Sequence, residues 1–436
     1  MDDTDSKYGM CTTYLASELI KNFEDFDLIG FPRLVRLNPN IPWKTRGNGA
    51  ICLQFGKGIG KKFLIGKIEN KNYFAYKFGK PIFIEDAKRK VMEVIEANAH
   101  FECKDTNPAF VISKEKFPNK IYQKAVREVV ELNYIKNILK NYKAIYKGYK
   151  NERGLIGAVS AIAWQSSKKT FEILAYRERK KWGTKRKIDE NSIIEMDKKF
   201  PDTFDNYDYQ NKCIVMYPKS PCPVLFGIRS TKSKSLLEAL NSIKSEKVDR
   251  WMTFETNQAT DDHLQEKEIL KIKSYESVIV KGKVILNPKT IMGGHVIFKI
   301  SDGLSIIDCA AYEPTKQFRK IIKELKIGDE VTVYGGVHKK PYTINLEKIE
   351  IEKLKKIYKK VENPTCKCGK RMKSIGRGSG YRCKACGNRV REENVEKKLI
   401  KRNIKEGFYE VPPSARRHLS MPLKLMEIEK LFNKEK

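Results

Sequence analysis

The chain has 436 residues and carries 87 lysines and arginines against 54 aspartates and glutamates, a formal net charge of +33. This length allows roughly two to four domains, and a basic excess spread along the chain favours nucleic acid as a partner over an anionic membrane surface. The longest apolar run, residues 154–164, is too short to cross a bilayer, and no signal peptide is recognisable, so we expect a cytoplasmic protein without membrane contact. Six of the ten cysteines are scattered singly, which predicts free thiols rather than disulfides.

An acidic cluster occupies residues 1–14, where Asp2, Asp3 and Asp5 precede Gly9 and the start of a predicted helix. Crowded carboxylates repel one another unless a cation neutralises them, and Mg²⁺ prefers carboxylate oxygens together with water and phosphate. The N-terminus of the helix offers N–H groups and a positive dipole end to an anion. The segment therefore predicts a site for a nucleotide with Mg²⁺, and the alternative is an acidic loop followed by a helix cap.

A long loop at 38–50 lies between short predicted strands at 30–37 and 50–55. Its length and its content of Trp, Arg and Gly favour a functional loop over a solvated surface loop. Side chains that suit phosphate binding lie in its second half: Lys44, Thr45, Arg46 and Asn48. The glycine-rich stretch at 55–60 resembles a phosphate-binding fingerprint only superficially, and we expect a flexible turn there.

The apolar periodicity predicts an α/β region of short strands up to residue 125 and a small α+β layer, of ferredoxin-like type, at 126–268. The expected helices lie at 85–100, 119–133, 154–164 and 233–243, and the expected strands at 108–113, 170–177, 222–229 and 250–261. A very basic turn covers residues 178–187. Acids at the end of the last strand could hold a small cationic ligand, although a hydrated loop explains them equally well: Glu255, Asp261 and Asp262.

Residues 269–355 read as five strands with one helix between the third and the fourth, the pattern of an OB-fold β-barrel. The expected strands cover 278–286, 296–302, 304–312, 328–336 and 342–351, and the helix covers 315–325. Barrels of this kind commonly bind oligonucleotides through aromatic stacking and a basic groove.

A zinc ribbon is predicted at 362–395, where two pairs of cysteines supply four thiolates for a tetrahedral Zn²⁺ site: Cys366, Cys368, Cys383 and Cys386. The first pair is C-x-C rather than C-x-x-C, so its turn is unusual. Basic residues surround the ribbon, among them Arg371, Arg377 and Arg382. The tail at 396–436 adds candidate phosphate contacts, for which a solvated basic face is the alternative: Arg416, Arg417 and His418.

Six strings in this order resemble the archaeal agmatidine synthases, the 2-agmatinylcytidine synthetases of the AUA-reading isoleucine tRNA. They are DDTDSKYGMCTTYL, NPNIPWKTRGNGA, GLIGAVSAIAW, PCPVLFGIR, RWMTFETNQATDDHL and YEVPPSARRHLS. The resemblance covers nearly the whole chain. It implies a multidomain α+β protein with a kinase-like domain at 1–125, the ferredoxin-like domain at 126–268, the barrel, the ribbon and the basic tail.

The resemblance also implies the chemistry. The family joins agmatine to carbon 2 of the wobble cytidine of an isoleucine tRNA, after ATP phosphorylates the carbonyl oxygen on that carbon, and ATP is consumed to AMP and phosphate. By resemblance, Asp2, Asp3 and Asp5 hold Mg²⁺ and the ATP phosphates, and Thr12 matches a threonine that can be phosphorylated. Gly9 and the donors of the loop at 38–50 are the candidates for further contacts with the ATP phosphates. The ferredoxin-like layer shares the agmatine pocket, and the barrel, ribbon and tail hold the tRNA.

One departure from the family pattern concerns the strand that normally precedes the acidic motif, which is absent here because the motif follows Met1 directly. We therefore expect that the chain starts late and loses a sheet member beside its metal site. The runner-up function is a non-catalytic nucleic-acid-binding protein built from the barrel and the ribbon. A third is a kinase or ligase that uses another amine. The sequence indicates no obligate protein partner.

Overall fold

A computed structural model of the chain describes residues 1–82, 84, 86–376, 378–391 and 397–427. Two large sheets organise this part of the chain, one of nine strands and one of seven. In the described residues, no helix combines the length and the apolar character needed to cross a membrane.

The first region begins with the predicted helix after the acidic segment. Its elements are α1 (Thr12–Asn22), β1 (Asp27–Ile29), β2 (Arg33–Arg36), β3 (Gly49–Cys52), β4 (Phe55–Ile68), β5 (Lys71–Lys80), α2 (Ala87–Asn98), β6 (Ala109–Ile112), α3 (Asn119–Arg127), α4 (Leu132–Asn141) and β7 (Ile145–Gly148). The predicted helix at 85–100 and strand at 108–113 are confirmed as α2 and β6.

Two local predictions in this region are wrong. The stretch at 55–60 is the start of β4, a strand paired with β5, rather than a flexible turn. A Cβ on Gly58 would lie 2.3 Å from the ring of Tyr76, so the glycine serves close packing across the strands. The helix expected at 119–133 is divided into α3 and α4, because Glu128 takes extended dihedral angles (φ −130°, ψ 174°) that end the first helix.

The second region continues the same nine-stranded sheet. Its elements are α5 (Gly154–Ala163), β8 (Thr170–Arg177), α6 (Glu190–Lys199), β9 (Thr203–Phe204), β10 (Tyr207–Asp208), β11 (Cys213–Ile214), β12 (Val224–Ser230), α7 (Leu236–Ser242), β13 (Val248–Thr256) and β14 (Leu264–Glu266). The strand order is β1-β5-β4-β13-β8-β12-β9, and β2 joins β13 to β3. Strands from both sides of residue 125 therefore form one sheet.

The third region is the expected barrel. Its elements are β15 (Ser277–Thr290), β16 (Val296–Ser301), β17 (Ile306–Ala311), α8 (Phe318–Lys323), β18 (Glu330–Val337) and β19 (Thr343–Lys353). The order β14-β15-β16-β17-β19-β18 closes on itself because β15 also pairs with β18. Inward side chains such as Val278, Phe298 and Ile349 are fully buried and form its apolar core.

The C-terminal region contains β20 (Tyr358–Lys360), β21 (Lys373–Ser374), β22 (Tyr381–Arg382), β23 (Arg389–Val390), β24 (Lys397–Leu399) and β25 (Gly407–Glu410). Strands β21, β22 and β23 form the small sheet of the ribbon. The tail then returns to the molecule, because β25 pairs with β19 of the barrel. Farther on, the His418 and Leu419 carbonyls accept hydrogen bonds from the Ala259 and Asp261 N–H groups (2.8 and 2.9 Å).

Candidate functional site

The start of the chain is anchored between two elements of the first region. The Met1 ammonium donates to the Ile51 carbonyl (2.8 Å), and the Ile51 N–H donates to the Met1 carbonyl (2.9 Å). Asp2 exchanges two backbone hydrogen bonds with Ala109 (3.0 and 3.1 Å). Residues 1–2 thus bridge β3 and β6 and hold the acidic segment against both strands.

Asp2 and Asp3 are carboxylates enclosed by the protein. Burial is the main cause that raises the pKa of Asp2 to about 7 and that of Asp3 to about 8. No ion pair forms at either group within the described residues. Helix α5 makes room for Asp2 at Gly157, where a Cβ would lie 1.8 Å from Asp2 Oδ2. Hydrogen bonds with Asn107 act against the effect of burial on Asp3 but do not offset it, so both carboxylates favour the protonated form until a cation binds.

Asp5 has a different environment, because protein groups occupy its oxygens. The Thr12 N–H and hydroxyl donate to Asp5 Oδ1 (2.7 and 3.2 Å), and Arg46 Nε donates to Oδ2 (3.2 Å). Arg46 Nη2 adds an ion pair to Oδ1 (3.1 Å). Asp5 thus caps α1, and the Thr12 N–H that we expected to be open to an anion is already bonded.

The loop at 38–50 lies beside these acids, and its bonds fix its shape. Arg46 also donates to Ser220 Oγ (3.2 Å), and Asn48 Nδ2 donates to the Asn38 carbonyl (2.9 Å). Lys44 donates to the Pro39 carbonyl, and burial lowers the pKa of Lys44 to about 8. The four predicted phosphate ligands of this loop are thus brought to the same place as the acids.

Together these groups line a cleft that is partly open to solvent. Its walls include all the predicted acids of residues 1–14 and the predicted loop donors: Asp2, Asp3, Asp5, Thr12, Lys44, Thr45, Arg46 and Asn48. Gly9 is not part of the lining. It is buried behind the cleft with φ +144°, and a Cβ there would lie 3.1 Å from the Pro221 carbonyl.

The cleft also contains residues that the sequence reasoning did not identify as ligands. Trp43, Glu128, Arg153 and Gly157 line it, and the Arg153 guanidinium lies 4.4 Å from the centre of a Trp43 ring. Trp43 could have been predicted as a lining residue, because it lies in the loop at 38–50 that was expected to be functional. Glu128 and Arg153 had no local signal, because only the fold brings residues this distant in sequence together.

The three acids predicted to bind a small cation lie elsewhere. Glu255 pairs with Lys169 and Arg33, Asp261 pairs with Lys348, and the Tyr122 hydroxyl donates to Asp262 Oδ2 (2.7 Å). None of the three lines the cleft. The carboxylates of Glu255 and Asp261 already have cationic partners, and that of Asp262 is hydrogen-bonded, so the structure does not bring these acids together as a ligand set.

The predicted phosphate contacts of the tail are mostly internal. The Arg416 side chain is buried and pairs with Asp205 and with Glu410 (2.6 Å). His418 Nδ1 lies 2.9 Å from Arg229 Nη2. Burial, followed by the charges of nearby arginines, lowers the pKa of His418 well below its ordinary value. Arg416 and His418 are therefore not surface cations as we expected.

The remaining RNA-contact candidates lie toward solvent. Arg417 is partly exposed, bonds to Asn40 and pairs with Glu347 (3.5 Å). In the ribbon, Arg371 is exposed and pairs with Glu362, and Arg382 is exposed on β22. Arg377 lies outside the described residues.

The four cysteines of the ribbon converge as the spacing predicts. Cys366 and Cys386 have their sulfurs 3.4 Å apart, and Cys368 and Cys383 have theirs 3.5 Å apart. All four sulfurs lie within 4.8 Å of one another, the only such group of metal-ligand side chains among the described residues. Tetrahedral Zn–S bonds of about 2.3 Å place sulfurs about 3.8 Å apart, so the four thiols fit a zinc ion. The three aspartates of the cleft do not converge in this way.

Comparison with known families gives matches along almost the whole chain. The TiaS TCKD domain matches residues 1–151, the TiaS FLD domain 152–263, the OB-fold nucleic acid binding domain 278–352, and the TiaS C-terminal zinc ribbon domain 363–404. The TiaS protein of Methanocaldococcus jannaschii, a 2-agmatinylcytidine synthetase of an isoleucine tRNA, is 42% identical over 98% of each chain. The chain belongs to the TiaS family. The TiaS protein of Archaeoglobus fulgidus is 43% identical over 98% of this chain and 97% of its own.

Solved structures of TiaS share the fold over the same length. A complex of TiaS with its isoleucine tRNA and ATP superposes with a TM-score of 0.83 at 41% identity, covering 97% of this chain and 95% of the other. A complex of TiaS with the same tRNA, AMPCPP and agmatine gives a TM-score of 0.79 at 38% identity, with the same coverage. The expected fold class, with its barrel and its zinc ribbon, is confirmed.

Proposed function

We propose that this chain uses ATP to join agmatine to carbon 2 of the wobble cytidine of the isoleucine tRNA that reads AUA codons, which forms agmatidine. The single observation that carries the proposal is the cleft, where buried carboxylates and phosphate-compatible side chains meet in a member of the TiaS family. TiaS relatives have been crystallised with their isoleucine tRNA, ATP and agmatine, the three substrates that this reaction needs. No observation favours a non-catalytic nucleic-acid-binding protein.

The acids of the cleft suit the phosphates of ATP together with Mg²⁺. Mg²⁺ is commonly held by one or two carboxylates plus phosphates and water, which matches Asp2 and Asp3. Once bound, the ion would neutralise the phosphate charge at the reacting centre. Asp5 was predicted as a third ligand, but its bonds to Arg46 and Thr12 indicate that it orients these two side chains.

Loop side chains and Thr12 would complete the phosphate site. Lys44, Thr45, Arg46 and Asn48 provide donors around the transferred phosphoryl group, where positive charge stabilises the transition state. The Thr12 hydroxyl donates to Asp5 at 3.2 Å and lines the cleft, which supports its proposed role as a phosphoryl acceptor. Gly9 would act through the backbone bend that it permits rather than as a ligand.

The amine substrate carries a guanidinium group, which requires an acidic partner. Glu255, Asp261 and Asp262 are retained as candidates on the family resemblance alone, because their present partners are protein groups. Glu128 is the carboxylate that lines the cleft in addition to the three aspartates, within the described residues. We add Glu128 to the candidates for the agmatine contact.

We assign the parts of the chain as follows. Residues 1–125 bind ATP, 126–268 complete the agmatine pocket, and 269–355, 362–395 and 396–436 hold the tRNA, with Zn²⁺ on the four ribbon cysteines. Zn²⁺ would supply much of the folding free energy of the ribbon, whose apolar core is small. Because the substrate is a tRNA, we infer that the reaction takes place in the cytoplasm.

The decisive experiment incubates the protein with ATP, labelled agmatine and tRNA transcripts that differ only at the wobble position. We expect label to enter the cytidine-bearing transcript alone, and only when ATP is present. Equal labelling of all transcripts, or none, would contradict the proposal. Preference for another guanidino amine over agmatine in the same assay would favour a related ligase instead.

A further inference from the structure

The basic turn at 178–187 has no part in the site described so far, although it carries much charge in few residues. Four lysines of this turn border one open hollow on the surface, together with Thr184 and Glu246: Lys180, Lys181, Lys185 and Lys187. We call these four residues the lysine ledge. Lys180 pairs with Glu178 (3.2 Å), whereas the other three have no ion pair among the described residues.

The turn is held in a defined shape by one buried arginine. The Arg177 side chain is fully buried, and its Nε donates to Glu246 Oε1 (2.8 Å). Its Nη1 donates to the Thr184 carbonyl (2.7 Å) and its Nη2 to the Lys185 carbonyl (3.2 Å). Glu246 also accepts a bond from the Lys187 N–H (2.9 Å). The acid nearest the ledge is therefore used internally, and the lysine ammonium groups keep their charge for an outside partner.

The ledge adjoins the wall of the cleft. Trp182, within the turn, packs edge-on against Tyr14 of α1 with ring centres 5.0 Å apart. Arg186 donates to the Ser220 carbonyl (3.0 Å), while Arg46 of the cleft donates to the hydroxyl of the same Ser220 (3.2 Å). One serine thus links the base of the ledge to the arginine that pairs with Asp5.

We propose that Lys181, Lys185 and Lys187 bind the backbone phosphates that flank the target cytidine when it enters the cleft. The proposal rests on the function proposed above. A base that reacts in a pocket must leave its stack, so its neighbouring phosphates must lie near the mouth of that pocket. Phosphates in such a position need cations without acidic partners, and the ledge supplies three of them beside the cleft.

The test compares two triple variants of the full-length protein with the same loss of charge. The ledge variant is Lys181→Gln/Lys185→Gln/Lys187→Gln, and the control is Lys198→Gln/Lys232→Gln/Lys234→Gln. The control lysines are exposed and belong to the same region. Arg186, at the base of the ledge, donates to the Val224 carbonyl at the start of β12, whereas Lys232 and Lys234 follow the end of that strand. Because seven residues of strand span roughly 20 Å, these two control lysines lie well away from the ledge.

We expect the ledge variant to bind the cytidine-bearing tRNA on the order of tenfold more weakly than wild type in moderate salt, with the control close to wild type. The slope of log K against log salt should fall by about 2 to 3, because each phosphate contact contributes about 0.7 to 0.9. At saturating tRNA, kcat should change by less than about threefold, since the lysines do not touch the reacting atoms. The same loss should appear with an isolated anticodon stem-loop.

Three outcomes would overturn the proposal. Equal tRNA affinity and equal salt slope for the ledge and control variants would show that the ledge does not contact RNA. A loss seen with whole tRNA but not with the stem-loop would place the contact away from the target base. If the wild-type protein binds and labels the tRNA and one of these two results is obtained, the proposed role of the ledge is wrong but the proposed function stands. The third outcome is that the wild-type protein binds no tRNA, in which case the proposed function is wrong as well.

Discussion

Buried charges occur in two regions of this molecule, and the two regions differ in whether those charges have ion-pair partners. Where the tail meets the barrel and the nine-stranded sheet, each buried charge has a partner. His263 lies 3.0 Å from Glu347, and Lys348 pairs with Asp261. In the cleft, no ion pair forms at the buried Asp2 among the described residues, and its pKa is raised accordingly.

The comparison separates charges that hold the structure from charges kept for a ligand. Paired buried charges are costly to break one at a time, because the remaining partner stays desolvated. Uncompensated buried charges cost stability in the free protein and are retained where a ligand will neutralise them. Substitutions in the tail junction should therefore lower stability, whereas those in the cleft should lower activity.

The largest effect is expected for Asp3→Asn. We expect ATP-dependent agmatine incorporation to fall about 10²–10³-fold, because a charge that organises the phosphates is removed. Tm should stay the same or rise, since a buried carboxylate that forms no ion pair in the described part of the chain is lost. Asp105→Asn, an exposed acid near the same loop, serves as the control and should keep its activity. Full activity of Asp3→Asn would refute the role of Asp3 at the metal.

The next largest effect is expected for Lys348→Met. This change removes the fully buried Lys348 ammonium group and leaves the Asp261 carboxylate, whose side chain is 22% exposed, without its cation, at a cost of about 3 kcal/mol in the free energy of unfolding. Chemical denaturation measures the loss, and the double variant with Asp261→Asn should recover part of it. Below its Tm, the Lys348→Met variant should keep wild-type kcat. A large loss of kcat with unchanged stability would reverse the assignment of the two regions.

A smaller effect is expected for Gly157→Ala, which should change both the free energy of unfolding and the agmatine incorporation. The new methyl group would overlap Asp2 Oδ2, so we expect a loss of about 1–3 kcal/mol in stability together with reduced incorporation. In an Asp2→Ala background most of the stability cost should disappear while activity stays low, because only the close contact with the Cβ of residue 2 (3.0 Å) remains. If the full cost persists there, the Asp2 carboxylate is not what the methyl group overlaps.

The last prediction concerns the pH dependence of the stability that Glu347 provides. Burial would raise its pKa, but His263, Arg417 and Lys348 together lower it to about 2. The carboxylate therefore stabilises the fold fully above about pH 4.5, and this contribution is lost as the pH falls toward 2. We expect the stability difference between wild type and Glu347→Gln to shrink over that range. The exposed Glu268→Gln should show no such trend.

Local signals predicted much of the fold. Helix α8 between β17 and β18, and the four clustered ribbon cysteines, follow from apolar periodicity and cysteine spacing, which act over short stretches of chain. The acids and loop donors that line the cleft were also singled out, because their residue types suit a phosphate. The proposed sites for zinc and ATP could thus be located before the fold was known.

Long-range packing decided the remainder. Gly58 looked like a turn residue because the Tyr76 ring that it packs against is eighteen positions away, and only the pairing of β4 with β5 brings them together. Arg416 and His418 looked solvated because the sequence does not show that the tail returns to Asp205 and Arg229. Arg153 reaches the cleft for the same reason. A buried charge cannot be told from an exposed one until its partners are placed.

The most direct test of the contrast between the two regions is the shift in Tm caused by ATP with Mg²⁺. A ligand at 100 times its Kd stabilises a protein by about 2.7 kcal/mol. We predict a clear upward shift for wild type and for Lys348→Met, even though the latter starts from a lower Tm, and little or no shift for Asp3→Asn. An equal shift in Asp3→Asn, or its loss in Lys348→Met, would contradict the account.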